Sequence, residues 1–92
     1  MAKRRAHVIV EGRVQGVFFR YETRSKAHAL NLTGWVKNRY DGSVEAVFEG
    51  EERDVKKMIE WCHQGPPAAI VRNVSVEWDE PKGEYSSFSV SY

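Results

Sequence analysis

Cys62 stands alone among 92 residues, so the chain has no internal disulfide to hold a small core together. A lone cysteine also fits a reducing compartment. The three histidines, His7, His28 and His63, are scattered, and none lies at metal-ligand spacing from a partner. No apolar run approaches the ~20 residues of a membrane-spanning helix. The basic start, Lys3-Arg4-Arg5, is not followed by an apolar stretch long enough for a secretory leader. No segment is of low complexity. These absences argue against a disulfide scaffold, a zinc module and a transmembrane helix. They leave the expectation of one cytoplasmic domain over residues 1–92, free of membrane.

What is present is enough for a packed core: 41% hydrophobic and 12% aromatic residues argue against disorder. The net charge of +1 hides an asymmetry. Residues 1–40 carry nine Lys/Arg and two Asp/Glu, and residues 41–92 carry five and eleven. A positive field over the first half would draw in a small anion. It would equally suit a weak nucleic-acid patch, so charge alone does not choose.

The stretch Gly12-Arg13-Val14-Gln15-Gly16-Val17-Phe18-Phe19-Arg20 lies within that basic half. An apolar run, Val8-Ile9-Val10, leads into it, and His7 to Glu11 reads as a central strand. A helical pattern leaves it: Phe19, Thr23, Ala27 and Leu30 recur on one stripe, which predicts a helix over Tyr21 to Ala29, ending near Asn31. Backbone N–H groups in a glycine turn can converge on one point and bind an anion. A helix start adds unpaired N–H groups and partial positive charge, and Arg20 adds a forked cation that matches a phosphate. The plainer alternative is a tight strand-to-helix turn with a surface arginine.

Thr33 to Tyr40 reads as a second strand, Asp41-Gly42 as a two-residue hairpin, and Ser43 to Glu49 as the returning strand stopped by Gly50. On it Val44, Ala46 and Phe48 share one face, with Glu45 and Glu49 on the other. Val55, Met58, Ile59 and Cys62 fall at i, i+3, i+4 and i+7, the clearest helix in the chain, and Gly65-Pro66-Pro67 ends it. Pro67 to Val71 reads as a loop, Arg72 to Trp78 as a strand and Pro81-Lys82-Gly83 as a turn. Phe88, Val90 and Tyr92 form a short closing strand, and residues 1–5 are expected to fray. The order is βαββαβ plus a terminal strand. That is an α+β, ferredoxin-like arrangement: an antiparallel sheet with two helices on one face. A right-handed crossover makes the first two strands parallel, with room for another between them. Their C-terminal ends then share one edge, and Asn38 becomes a neighbour of Arg20.

An arginine and a ring of amides hold a phosphate without cleaving it. Asn38 can hold a water, but its amide does not titrate and is no general base. Phosphoryl transfer through a loose transition state needs positioning and charge more than base strength. Without a general acid the leaving oxygen must already be a weak base, and a carboxylate qualifies because carboxylic acids have pKa near ~4. Such a site favours acyl phosphates over phosphate esters. Cys62, on the apolar stripe, reads as a small buried hydrophobe. Phe18 and Phe19 read as core and rim packing.

Both motifs resemble a known family. Val10-Glu11-Gly12-Arg13-Val14-Gln15-Gly16-Val17-Phe18-Phe19-Arg20 resembles the first signature of the acylphosphatases. Gly34-Trp35-Val36-Lys37-Asn38, with Gly42, Val44 and Gly50, resembles the second. The resemblance implies a small, free-standing, ferredoxin-like enzyme that hydrolyses the carboxyl–phosphate bond with no metal or cofactor. It implies Arg20 as the phosphate-binding arginine and Asn38 as the residue that positions water. The backbone of Gln15, Gly16, Val17, Phe18, Phe19 and Arg20 would form the cradle. The expected partner is a small-molecule acyl phosphate, with no nucleic acid, and the expected state is a monomer. Two other readings compete: a nucleic-acid module stacking bases on Trp35, and a phosphate sensor without turnover.

Overall fold

The computed structural model describes residues 2–91. Its elements are β1 (Lys3–Arg13), α1 (Phe19–Ala29), β2 (Thr33–Asn38), β3 (Val44–Glu51), α2 (Glu52–Cys62), β4 (Ile70–Asp79) and β5 (Phe88–Val90). The sheet order is β4-β1-β3-β2-β5. The four longer strands pair antiparallel, and β5 joins parallel to β2, which makes the five-stranded sheet mixed. β3 lies between β1 and β2, as the crossover requires.

The core fills the space between the sheet and the two helices. Ala6, Val8 and Val10 alternate with half-exposed His7 and Ile9 along β1. Val44, Ala46 and Phe48 of β3 and Val36 of β2 bury on the same side. Phe19, Thr23 and Ala27 face them from α1, and Val55, Met58, Ile59 and Cys62 from α2. Phe48 stacks on Phe88 of β5 with ring centroids 5.4 Å apart. Asn31 takes the left-handed conformation that stops α1, with φ of 57°.

Several boundaries differ from the sequence expectation, for reasons of pairing. Lys3 to Arg5 do not fray, because they pair with Glu49 to Glu51 of β3. That pairing also carries β3 through Gly50, which was expected to stop it. α1 begins two residues early, at Phe19, because Phe19 is a core residue. β4 begins at Ile70 rather than Arg72, drawn in by Gly12 and Arg13 across a register shift that leaves Arg72 as the extra residue on β4. The approach is so close that a Cβ on Gly12, where φ is 132°, would run into the Ile70 carbonyl oxygen. The β2–β3 hairpin has a longer loop than Asp41-Gly42 alone: the Gly42 N–H donates to the Arg39 carbonyl, and the Arg39 N–H donates to the Ser43 carbonyl. In the closing strand Phe88 is buried and Val90 half-buried; Tyr92 lies outside the described residues.

Residues 80–87 have to travel from β4 at one edge of the sheet to β5 at the other. They do so across the face opposite the helices. The N–H groups of Lys82 and Gly83 donate to the Glu49 carboxylate at 3.0 and 2.8 Å. Arg5 donates to the same carboxylate at 3.3 Å and lies over the Tyr85 ring. Glu49, expected on an open face, is therefore buried.

Candidate active site

Backbone geometry builds the site first. Gly16 has φ of 75° and Phe18 φ of 67°, while Val17 between them keeps a negative φ. Alternating hand of this kind is the backbone pattern of an anion-binding nest, in which successive N–H groups turn to one side. Among the described residues, the N–H groups of Gln15 to Phe18 have no backbone acceptor. Phe18 is the residue preceding α1, and no side chain caps that helix start. The first turn, Phe19 to Tyr21, thus lines the cavity with no side chain capping its N–H groups. A phenylalanine in the left-handed region costs on the order of 1–2 kcal/mol. Its side chain does not recover this by burial, since Phe18 is 76% exposed.

The sheet register places Asn38 beside this turn. Val10 of β1 and Asn38 of β2 both pair with Val44 of β3, so they stand level, two strand spacings or about 10 Å apart. Asn38 shares the parity of buried Val36 and so faces the helices. Its side-chain oxygen is buried and accepts no hydrogen bond from the described residues. Arg20 and Asn38 line one cavity of about 340 Å³, together with Val14, Gly16, Phe18, Phe19, Tyr21, Arg24 and Val90. That is the small end of the range for small-molecule sites.

Of the expected cradle residues, Gly16, Phe18, Phe19 and Arg20 line this cavity; Gln15 and Val17 do not. Val17 packs against the core. The Gln15 side chain is occupied elsewhere: its Nε2 donates to the Arg39 carbonyl at 2.7 Å and the Ser43 carbonyl at 2.9 Å. It thus ties the glycine turn to the loop that follows Asn38. Asp41 tightens that loop by accepting from the Ser43 hydroxyl and N–H at 2.6 and 2.9 Å, which hold its carboxyl below the usual range.

The three histidines and the cysteine lie away from the cavity. His7 Nε2 donates to Glu45 at 2.6 Å, and His28 Nε2 to the Phe88 carbonyl at 3.0 Å. His63 Nδ1 donates to the Ile59 carbonyl at 3.0 Å. Burial pushes the Cys62 thiol up to about 12, which leaves no thiolate at neutral pH. Among the described residues no three His, Cys, Asp or Glu side chains gather as metal ligands. Trp35, the candidate stacking platform, donates its Nε1–H to the Tyr85 hydroxyl at 3.0 Å and is covered by Lys37. No helix of the described residues is long and apolar enough to cross a membrane.

Sequence reasoning missed four lining residues: Val14, Tyr21, Arg24 and Val90. Arg24 follows Arg20 at i+4 on α1, a spacing that was available to find it, whereas Tyr21 at i+1 carried no such signal. Val14 is the apolar residue between Arg13 and Gln15 and carried no distinguishing signal. Val90 arrives only because β5 pairs parallel to β2, with Val90 opposite Val36.

The class of protein is a small α+β domain with a ferredoxin-like sheet, which brings a glycine turn, an arginine and a buried carboxamide oxygen to one cavity at its edge. The sequence model of the acylphosphatase family matches residues 6–90. An acylphosphatase of Pelotomaculum thermopropionicum is 56% identical over 92 residues, all of both chains. The structure of an acylphosphatase from Coxiella burnetii superimposes with a TM-score of 0.92 at 47% identity, covering 98% of this chain and 94% of that one. That of the Bacillus subtilis acylphosphatase gives 0.93 at 39% identity, covering 97% and 99%. The chain belongs to the acylphosphatase family, and it is a hydrolase of the acylphosphatase type.

Proposed function

We propose that the chain hydrolyses small acyl phosphates by direct attack of water on phosphorus. Arg20 grips the phosphate oxygens with its guanidinium, and the N–H groups of the turn from Gln15 to Arg20 complete the cradle. The Asn38 amide holds a water, accepting from it through the side-chain oxygen. That water attacks phosphorus on the side opposite the acyl oxygen. A bond forms between water and phosphorus as the bond to the acyl oxygen breaks. The carboxylate leaves with the electron pair, and the water's protons pass to phosphate oxygen and solvent. Because the leaving group is a weak base, no general acid is required. No metal and no covalent intermediate take part.

The observation that carries this reading is the buried, unpartnered Asn38 oxygen in the cavity that Arg20 also lines. A buried polar atom without a partner costs about 1–3 kcal/mol, and a bound water would recover it. We further propose that the chain acts as a monomer of one domain over residues 1–92, in the cytoplasm. In support, one buried cluster joins the sheet to both helices, and the single cysteine is buried and free of any disulfide.

The test is release of orthophosphate from acetyl phosphate with EDTA in excess. Undiminished turnover is expected. Complete block by the chelator would reject the metal-free mechanism, and binding of orthophosphate without turnover would replace the enzyme with a sensor.

A further inference from the structure

We infer that Arg24 is a specificity-determining residue that favours acyl groups bearing a negative charge of their own. The inference rests on the reading above, in which Arg20 and the turn hold phosphate and Asn38 holds water. In-line attack puts the acyl oxygen opposite that water, so the acyl group points away from Asn38. Besides buried Val14, the lining that phosphate and water leave unclaimed is the side chains of Phe18, Tyr21, Arg24 and Val90. Three of these are apolar or aromatic walls, with Phe18 76% and Tyr21 65% exposed at the opening. The fourth is a permanent cation.

Arg24 lies one helical turn beyond Arg20 on the same face of α1, about 6 Å further along the axis. Forked cations one turn apart on a cavity wall suit two anionic groups joined by a short chain. Among the described residues Arg24 forms no ion pair and donates no side-chain hydrogen bond. Three other cations of the basic half are engaged in ion pairs: Arg4 with Glu52, Arg5 with Glu49 and Glu84, Lys37 with Glu45. Glu22, the one acidic residue in the first turn of α1, is offset by two positions and does not line the cavity. Arg24 therefore keeps its donors turned to whatever enters, and a planar guanidinium is matched by a carboxylate or a second phosphate.

Two measurements test this. The first compares kcat/KM for succinyl phosphate, whose acyl group carries a carboxylate, with that for butyryl phosphate, which has the same chain length without it. The wild-type chain is expected to prefer succinyl phosphate. Arg24→Gln is expected to lower that preference about tenfold, the loss of one charge-assisted bond. Arg24→Lys should retain part of it. The preference should also shrink as salt is raised, since Arg24 is solvent-exposed. The second measurement is calorimetric binding of 4-phosphonobutyrate and of propylphosphonate, which lacks the carboxylate. The same tenfold change in their ratio is expected on Arg24→Gln.

An unchanged ratio in Arg24→Gln, whether both ligands weaken together or neither does, overturns the inference. The two readings fail separately. If neither acyl phosphate is turned over while the phosphonate ratio still depends on Arg24, hydrolysis fails and the assignment of Arg24 stands.

Discussion

A lysine in place of Arg20 keeps the charge and loses the fork. Two parallel N–H donors fix the orientation of a phosphate, whereas an ammonium binds it as a point charge. Arg20→Lys is therefore expected to lower kcat/KM for acetyl phosphate at least ~100-fold, the size of effect seen when one oriented donor is lost from a reacting site. Circular dichroism should show the fold retained. Near-normal turnover would remove Arg20 from its role. At this scale part of the geometry was legible: Arg20 and Asn38 do line one cavity, and the glycine at position 16 does adopt φ of 75°. The left-handed phenylalanine next to the helix was not legible, because nothing in the residue type invites that conformation. Nor was the task of the Gln15 side chain, which depends on a loop met only after folding.

Among the elements, the segment from β4 to β5 was read from the sequence as no more than a turn. Apolar alternation finds strands and stripes finds helices, but neither says that a chain must cross a sheet to reach the far edge. The sign of that crossing is a buried charge, Glu49 at 6% exposure, on a strand whose pattern put it outward. Burial by itself would raise the Glu49 carboxyl. Donation from the Lys82 and Gly83 N–H groups and from Arg5 outweighs it and holds the carboxyl below its ordinary value of 4.5. A carboxyl depressed on folding stabilises the fold fully above that value, and the stabilisation is lost as pH falls through it toward the depressed one. Glu49→Gln is expected to cost about 1–3 kcal/mol at pH 7 in urea unfolding. The gap between variant and wild type should narrow steadily below about pH 5. A gap that stays constant with acidification would mean that the carboxylate charge is not what holds the crossing segment. The helices and central strands, by contrast, were legible, since Val55, Met58, Ile59 and Cys62 could bury together only on one face.

Over the whole molecule, the topology explains why residues eighteen positions apart meet. β1 and β2 run parallel on either side of β3, so the turn after one and the end of the other share an edge. Sequence order and the handedness of crossovers sufficed to foresee this. The short β5 could not be placed by the same rule, because a strand of three residues carries almost no pattern. Its position matters, since Val90 walls the cavity and His28 ties β5 to α1. All three histidines bond away from the cavity, so kcat for acetyl phosphate should show no step of apparent pKa near ~6.5 between pH 5.5 and about 8. Such a step would bring a histidine into the chemistry.

The central claim is a division of labour: one group of donors holds phosphate, and Asn38 holds the attacking water. Asn38→Ala separates the two. With acetyl phosphate, kcat is expected to fall on the order of 10²–10³, while the inhibition constant of orthophosphate, measured on the same preparation, stays within about threefold. Near-normal kcat in that variant, or orthophosphate binding lost in step with kcat, would contradict the account.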